Sequence, residues 1–416
     1  MNEYRKDLLP NGIKVISEKI PHLKSFSLGF WFNVGSRDES RANNGISHFT
    51  EHMLFKGTKN RSARKIANDI EAYGGYLNAF TSKEHTCYYG RGMGKHLKRT
   101  FEVLADMALN PAFKESEIKK EAGVIIDELN DIEDSPEELI FDKFEEALFV
   151  GNALSYPIIG NEENILSFSQ KNFFEFIGEK YNFKNLTIAA CGDVNHDELV
   201  EYAAKYFGRG KASSPSFRKS AHPKKSIETE IEKDIQQTHV IVGVPTYGYK
   251  DKRRNLVNLF SHILGEGSSS RLFQTVREKN GITYQLNSFL NSFYDVSVFG
   301  VYYSTNDKSY EKAQKLIFNE FEKLKKTKVG KTELARAKEY FKGSLYLSLE
   351  SATNRMFRIA QNEIYFDKNR TVDEVISQID AITAEDILEI ANELLDEKTL
   401  SKITLKAKNN SIKSAA

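Results

Sequence analysis

The chain has 416 residues, 40% hydrophobic and 28% charged, which is long enough for two or more domains with sizeable buried cores. Its formal net charge is +1, and its only two cysteines, Cys87 and Cys191, lie far apart without a CxxC partner. These numbers argue against a nucleic-acid binder or an acidic-membrane binder, and against a disulfide framework; they favour a reducing compartment. The first residues, MNEYRKDLLPNGIKVISE, contain no apolar signal core, and no run approaches the ~20 apolar residues of a membrane span, so a soluble, cytoplasmic protein is expected.

In chain order, SFSLGFWFNVGS (25–36) reads as an apolar and aromatic strand. A helix carrying HFTEH (48–52) follows. RSARKIANDIEAYG (61–74) reads as a second helix, with Ser62 as its cap. GGYLNAFTSKEHTCYYGRGM (74–93) reads as two strands around a polar turn. Apolar spacing predicts helices over 95–109 and 115–131. LTIAACGDV (186–194) reads as a buried strand, and HDELVEYAAKYFG (196–208) as a helix stopped by glycine. GRGMGK (90–95) lacks the spacing of a phosphate loop and reads as a strand end. GEGSSS (265–270) reads as a tight loop. His85, His96, His196, His222 and His239 have no ligand spacing.

Residues 208–226 hold six Lys/Arg and no acid among Ser, Pro and Gly, the composition of a solvated tether. Beyond it the first half returns in faded form. THVIVGVPT (238–246) answers the strand at 25–36, and NLFSHILGEG (258–267) answers the HFTEH helix. GITYQLNSFLNSFYDVSVFGVYYS (281–304) answers the pair of strands, and a helix from Lys331 answers the one from Glu115. The expected architecture is therefore α+β: two tandem repeats, each a mostly antiparallel sheet with helices packed on one side. The division is 1–207, a linker at 208–227, and 228–416. In this alignment His52 meets His262, His48 meets Asn258 and Glu51 meets Ser261, so only the first repeat keeps the HFTEH constellation.

On a helix, residues i and i+4 share a face and i+3 lies beside them. His48 and His52 can therefore aim imidazole nitrogens at one ion, while Glu51 stands next to it. Zinc takes neutral imidazole and carboxylate ligands, and a catalytic site leaves one position for water. Glu51 is then the natural general base. HxxEH is the reverse of the HExxH signature. A third ligand is needed, and 115–138 offers many acids. Glu121 and Glu128 are two helical turns apart on one face; spacing does not choose among the acids.

The succession HFTEHMLFKGT, GGYLNAFTSKEHTCYY and EAGVIIDE resembles the pitrilysin/insulinase family of zinc peptidases, and most of all the mitochondrial processing peptidase β-subunit and its half-sized bacterial relatives. The likeness runs over almost the whole chain. It implies one zinc per chain on His48, His52 and Glu128, with Glu51 as base and Glu121 as a carboxylate that orients the site. It also implies that the strand with Asn78, Ala79 and Phe80 pairs with the substrate backbone. Such pairing reads extended peptide with little sequence demand. Arg277 and Tyr284 match a family pair that reaches the substrate and the scissile carbonyl; both are donors suited to a developing oxyanion. Glu138 and Asp142 match acids that bind a substrate arginine, and paired carboxylates suit a guanidinium.

The resulting expectation is a zinc endopeptidase that cuts unfolded peptides or precursor segments in a dimeric chamber, with some preference for basic residues near the cut. The partner is a second copy of the chain, or an inactive paralogue in a heterodimer. The rival expectation is a non-catalytic scaffold like the core subunits of respiratory complexes, or a peptide-binding partner of a paralogue. The intact HFTEH and Glu128 argue against the rival.

Overall fold

The computed structural model describes residues 3–208 and 218–408. The first part of the chain forms β1 (Glu3–Leu8), β2 (Lys14–Lys19), β3 (Ser25–Phe32), α1 (Ile46–Phe55), α2 (Ala63–Glu71), β4 (Tyr76–Thr81), β5 (Thr86–Met93), α3 (Leu97–Leu109), α4 (Glu115–Asp134), α5 (Pro136–Leu148), α6 (Glu162–Ser167), α7 (Gln170–Lys180), β6 (Leu186–Gly192) and α8 (His196–Phe207). The second forms β7 (Glu228–Lys233), β8 (Thr238–Tyr247), α9 (Arg254–Gly265), β9 (Leu286–Ser292), β10 (Val296–Thr305), α10 (Asp307–Lys326), α11 (Lys331–Ser348), α12 (Ala352–Phe366), α13 (Val372–Ala381), α14 (Ala384–Leu394) and β11 (Ser401–Ala407). Ser62 caps α2 as expected, accepting from Lys65 N at 3.2 Å.

The internal repeat is visible in the strand order. The first sheet runs β1-β2-β6-β3-β5-β4 and the second β7-β11-β8-β10-β9. In each, one parallel pair (β2 with β6, β7 with β11) precedes an antiparallel run. Thus β3 corresponds to β8, β5 to β10 and β4 to β9, and β1 is an added edge strand. The α+β repeats with mostly antiparallel sheets are as the sequence predicts.

Two compact units exist, and they cut across the division at 208–227. The first gathers residues up to Asn130, Tyr156–Lys219 and Ser344–Arg370; the second gathers Asp131–Ser155, Ser220–Gly343 and Thr371 onward. α5 therefore belongs with the second sheet, although it lies early in the chain, and α12 belongs with the first.

This exchange corrects one expectation, that each sheet has helices on one side only. β3 is buried at every position from Phe26 to Phe32, so both its faces need cover. On one face Phe30 meets Phe101 of α3 and Phe207 of α8. On the other, Trp31, Cys87 and Cys191 pack with Met356, Ile359 and Ala360 of α12. Both cysteines are buried and unpaired. In the second unit Leu139, Ile140 and Phe144 of α5 pack on Ile241, Val298 and Ile403. α9, α10 and α14 fill a second cluster with Val240, Val242 and Val301.

Residues 209–217 of the basic run lie outside the described residues. Arg218 departs from the tether reading. Its guanidinium donates to both Asp38 oxygens (2.9 and 2.7 Å) and to the Glu84 carbonyl (2.6 Å), so it anchors the chain to the first unit.

Candidate metal and peptide site

α1 starts at Ile46 behind Gly45, which sits in the left-handed region with φ 100°. Its buried face is Ile46, Phe49, Thr50, Met53 and Leu54, and Phe49 packs edge-on against Phe173. Burying that stripe turns His48, Glu51 and His52 to the opposite side. The two imidazoles lie with ring centroids 4.6 Å apart.

α4 brings the third group. His48, His52 and Glu128 can each offer a ligand atom, and these atoms lie within 4.8 Å of one another. Nε2 of His48 is 3.6 Å from Glu128 Oε1, and Nε2 of His52 is 3.7 Å from Glu128 Oε2. Donor atoms around a tetrahedral zinc are roughly 3.3 Å apart, given bonds of about 2.0–2.1 Å, so these three groups are close enough to converge on one ion. Of the acids that spacing alone left open, Glu128 is the one that clusters with both histidines among the described residues.

The protonation states fit as well. Burial, with the neighbouring His52, pushes His48 down to about 3, which keeps it neutral and able to ligate. His52 Nδ1–H donates to Glu121 Oε1 at 2.9 Å, which leaves the Nε2 lone pair free for a metal. Metal-bound histidines generally have such a carboxylate partner. Glu121 is buried and is itself held by Lys56 Nζ at 2.6 Å. His48 has no equivalent: its Nδ1 is buried without a hydrogen-bond partner among the described residues.

Glu51 lies on the same side of α1. Burial raises its pKa; the Thr81 hydroxyl and His52 pull it down, and Glu128 pushes it up. Thr81 Oγ1 donates to Glu51 Oε2 at 2.5 Å. Thr81 ends β4, the edge strand of its sheet. Within β4, Asn78, Ala79 and Phe80 pair with Tyr89, Tyr88 and Cys87 of β5, and no strand lies on their other side among the described residues. The edge expected from the sequence is present, and its last residue touches Glu51.

The remaining candidates belong to the second unit. Arg277 stacks over Tyr284, its guanidinium carbon 5.1 Å from the ring centroid, and Tyr284 is 76% exposed. Glu138 and Asp142 are one turn apart on α5, the first exposed and the second half-buried. In the second repeat, His262 is buried beside Tyr340, ring centroids 4.1 Å apart, and Ser261 donates to Ser288.

Sequence reasoning missed Lys56, Thr81 and Glu39. Lys56 and Thr81 stand inside motifs already singled out, HFTEHMLFKGT and YLNAFTS, but nothing in their spacing tells which side chain they meet.

Comparison with known proteins shows the family. Residues 14–162 match the family described as Insulinase (Peptidase family M16), and residues 167–341 match the Peptidase M16 inactive domain. A Bacillus subtilis (strain 168) protein named uncharacterized zinc protease YmxG is 34% identical over 394 residues, 93% of this chain and 94% of its own. A Streptomyces coelicolor protein named uncharacterized zinc protease SCO5738 is 33% identical over 402 residues, 95% and 88% of the two chains. The crystal structure of a protease from Helicobacter pylori superposes with a TM-score of 0.91 at 25% identity, over 97% of this chain and 99% of that one. Among the described residues, no helix is long and apolar enough to cross a membrane.

Proposed function

The chain belongs to the insulinase family of peptidases, family M16, and from its site we propose that it is a zinc-dependent endopeptidase that cuts extended peptides and precursor segments. The observation that carries this reading is the convergence of His48, His52 and Glu128 beside the half-buried Glu51. Relatives named zinc proteases support the choice of metal.

His48, His52 and Glu128 would hold the zinc, which would supply Lewis-acid chemistry for the attacking water and the scissile carbonyl. The chain's own residues do the rest. Glu51 takes a proton from the attacking water and returns it to the leaving amine nitrogen. Its raised pKa suits both transfers, and the Thr81 hydrogen bond fixes the carboxylate that performs them. Glu121 holds His52 in the tautomer that ligates. The free edge of β4 takes the substrate backbone as an added strand, which selects unfolded segments. Arg277 and Tyr284, on the second unit, are donors of the kind that suits a substrate carbonyl, and Glu138 with Asp142 on that unit suits a basic side chain. The working form is a dimer enclosing a chamber, built from two copies or with an inactive paralogue, and it acts in the cytoplasm.

A quenched fluorescent peptide containing arginine tests the reading. Wild type should cleave it, lose activity with a chelator and regain it with one equivalent of zinc per chain. A folded, zinc-loaded chain that cleaves no peptide alone or with a paralogue would instead favour the scaffold reading. A survey of cut sites without enrichment of basic residues would remove the role given to Glu138 and Asp142.

A further inference from the structure

The two histidines of the site are held by different means. His52 is oriented through Glu121 and Lys56. His48 has no side chain hydrogen-bonded to its Nδ1 among the described residues. Its place therefore depends on the backbone at the start of α1, where it is the third helical residue.

That start is capped in an uncommon way. The first amides of a helix lack intrahelical acceptors, and a Ser, Thr, Asn or Asp at the N-cap usually takes them. Here the N-cap is Gly45, which has no side chain to offer. No other residue fits: a Cβ at Gly45 would lie 2.7 Å from the Ile159 oxygen and 2.9 Å from Gly160 Cα. The acceptor comes instead from Glu39, six residues earlier. Its Oε1 accepts from Ser47 N at 2.7 Å, and its Oε2 accepts from Gly45 N and Asn44 Nδ2, both at 2.9 Å. Asn44 also donates to the Pro157 carbonyl (2.8 Å), and its own carbonyl accepts from Asn164 (3.1 Å). Glu39 is 7% exposed and has no ion-pair partner among the described residues. A buried carboxylate without a counter-ion is disfavoured: burial pushes Glu39 up to about 7, and the hydrogen bonds from Ser47, Asn44 and Gly45 offset only part of that.

We infer that Glu39 is a positioning residue for the metal site: it fixes the first turn of α1 and, through that turn, the place of His48 Nε2. The inference rests on the zinc reading above. It assigns the two ligands separate supports, a side-chain relay for His52 and a backbone clamp for His48.

Glu39→Gln tests it. The variant keeps the volume but turns an amide NH2 towards groups that are themselves donors. Zinc affinity is measured by competition with a chromophoric chelator, and site geometry by the visible spectrum of the cobalt(II)-substituted protein. Asn44→Ala, which removes one donor to Glu39, is measured alongside in case Glu39→Gln does not fold. The expected result is a folded variant with zinc affinity weakened on the order of tenfold and an altered cobalt spectrum, Asn44→Ala changing both in the same direction but less. A folded variant with the wild-type zinc affinity and cobalt spectrum, even at a lower Tm, would overturn the inference and leave Glu39 a stabilising residue only. A wild type that binds no zinc would overturn the metal reading itself.

Discussion

In the first sheet, the helix after the central strand β3 carries His48, Glu51 and His52; in the second, the helix after the corresponding strand β8 carries Asn258, Ser261 and His262. The facing helices differ in the same sense. At equal offsets from the starts of α4 and α11, Glu121 is replaced by Ala337 and Glu128 by Ser344. Glu121 and Ala337 are both 4% exposed, so the helical register has been kept while the carboxylate has been lost. The consequence is visible at the one histidine that both repeats share. His52 Nδ1 has Glu121; His262 Nδ1 is buried without a hydrogen-bond partner among the described residues, and its ring stacks on Tyr340 instead. Strand order and burial pattern survive because the core needs them. A zinc site needs its ligands together and is weakened when a ligand's support is replaced; Asn258, His262 and Ser344 of the second repeat do not supply such a ligand set.

The sharpest way to break the comparison is to delete a ligand from the first repeat. His52→Ala should bind no zinc at micromolar concentrations and reduce cleavage to background, since two remaining protein ligands make a poor zinc site. Zinc analysis after dialysis reads this directly. Next come the supports. Glu121→Gln and Lys56→Met should each weaken zinc affinity by about 10–100-fold, measured by chelator competition, because both loosen the hydrogen bond that fixes the His52 tautomer. Thr81→Val should keep zinc and lower kcat about tenfold or more with little change in KM, since a hydrogen bond to a charged group is worth about 1.5–3 kcal/mol. The smallest effect belongs to the second repeat. His262→Phe, which preserves the stacking surface for Tyr340, should leave zinc stoichiometry unchanged and cleavage within about twofold, as distant independent sites are near-additive.

Much of this was legible in the sequence because it depends on periodicity. The strands at Ser25–Phe32, Leu186–Gly192 and Thr238–Tyr247, and the helices that follow the first and last of these, are carried by apolar spacing, and α2 also by its Ser62 cap. The placing of His48, Glu51 and His52 on one face follows from helix geometry alone. What could not be read depends on contacts between distant segments. The choice of Glu128 over its neighbours required the fold, or a family likeness, since several acids share that helix. The exchange of α5 and α12 between units leaves no local mark, because an amphipathic helix does not say which sheet it will cover. Nothing in the sequence marks Glu39; its place at the start of α1 shows only once Gly45 is seen to be unable to carry a side chain.

The most direct test of the central claim is Glu51→Gln, with peptide cleavage and zinc content measured on the same sample. Glu51 does not need to bind the metal, so the variant should keep one zinc per chain while cleavage falls by about 10²–10⁴-fold, the range for a general acid–base residue. Cleavage at the wild-type rate from a zinc-loaded Glu51→Gln chain would contradict the account, because the proton would then be moving through some other group.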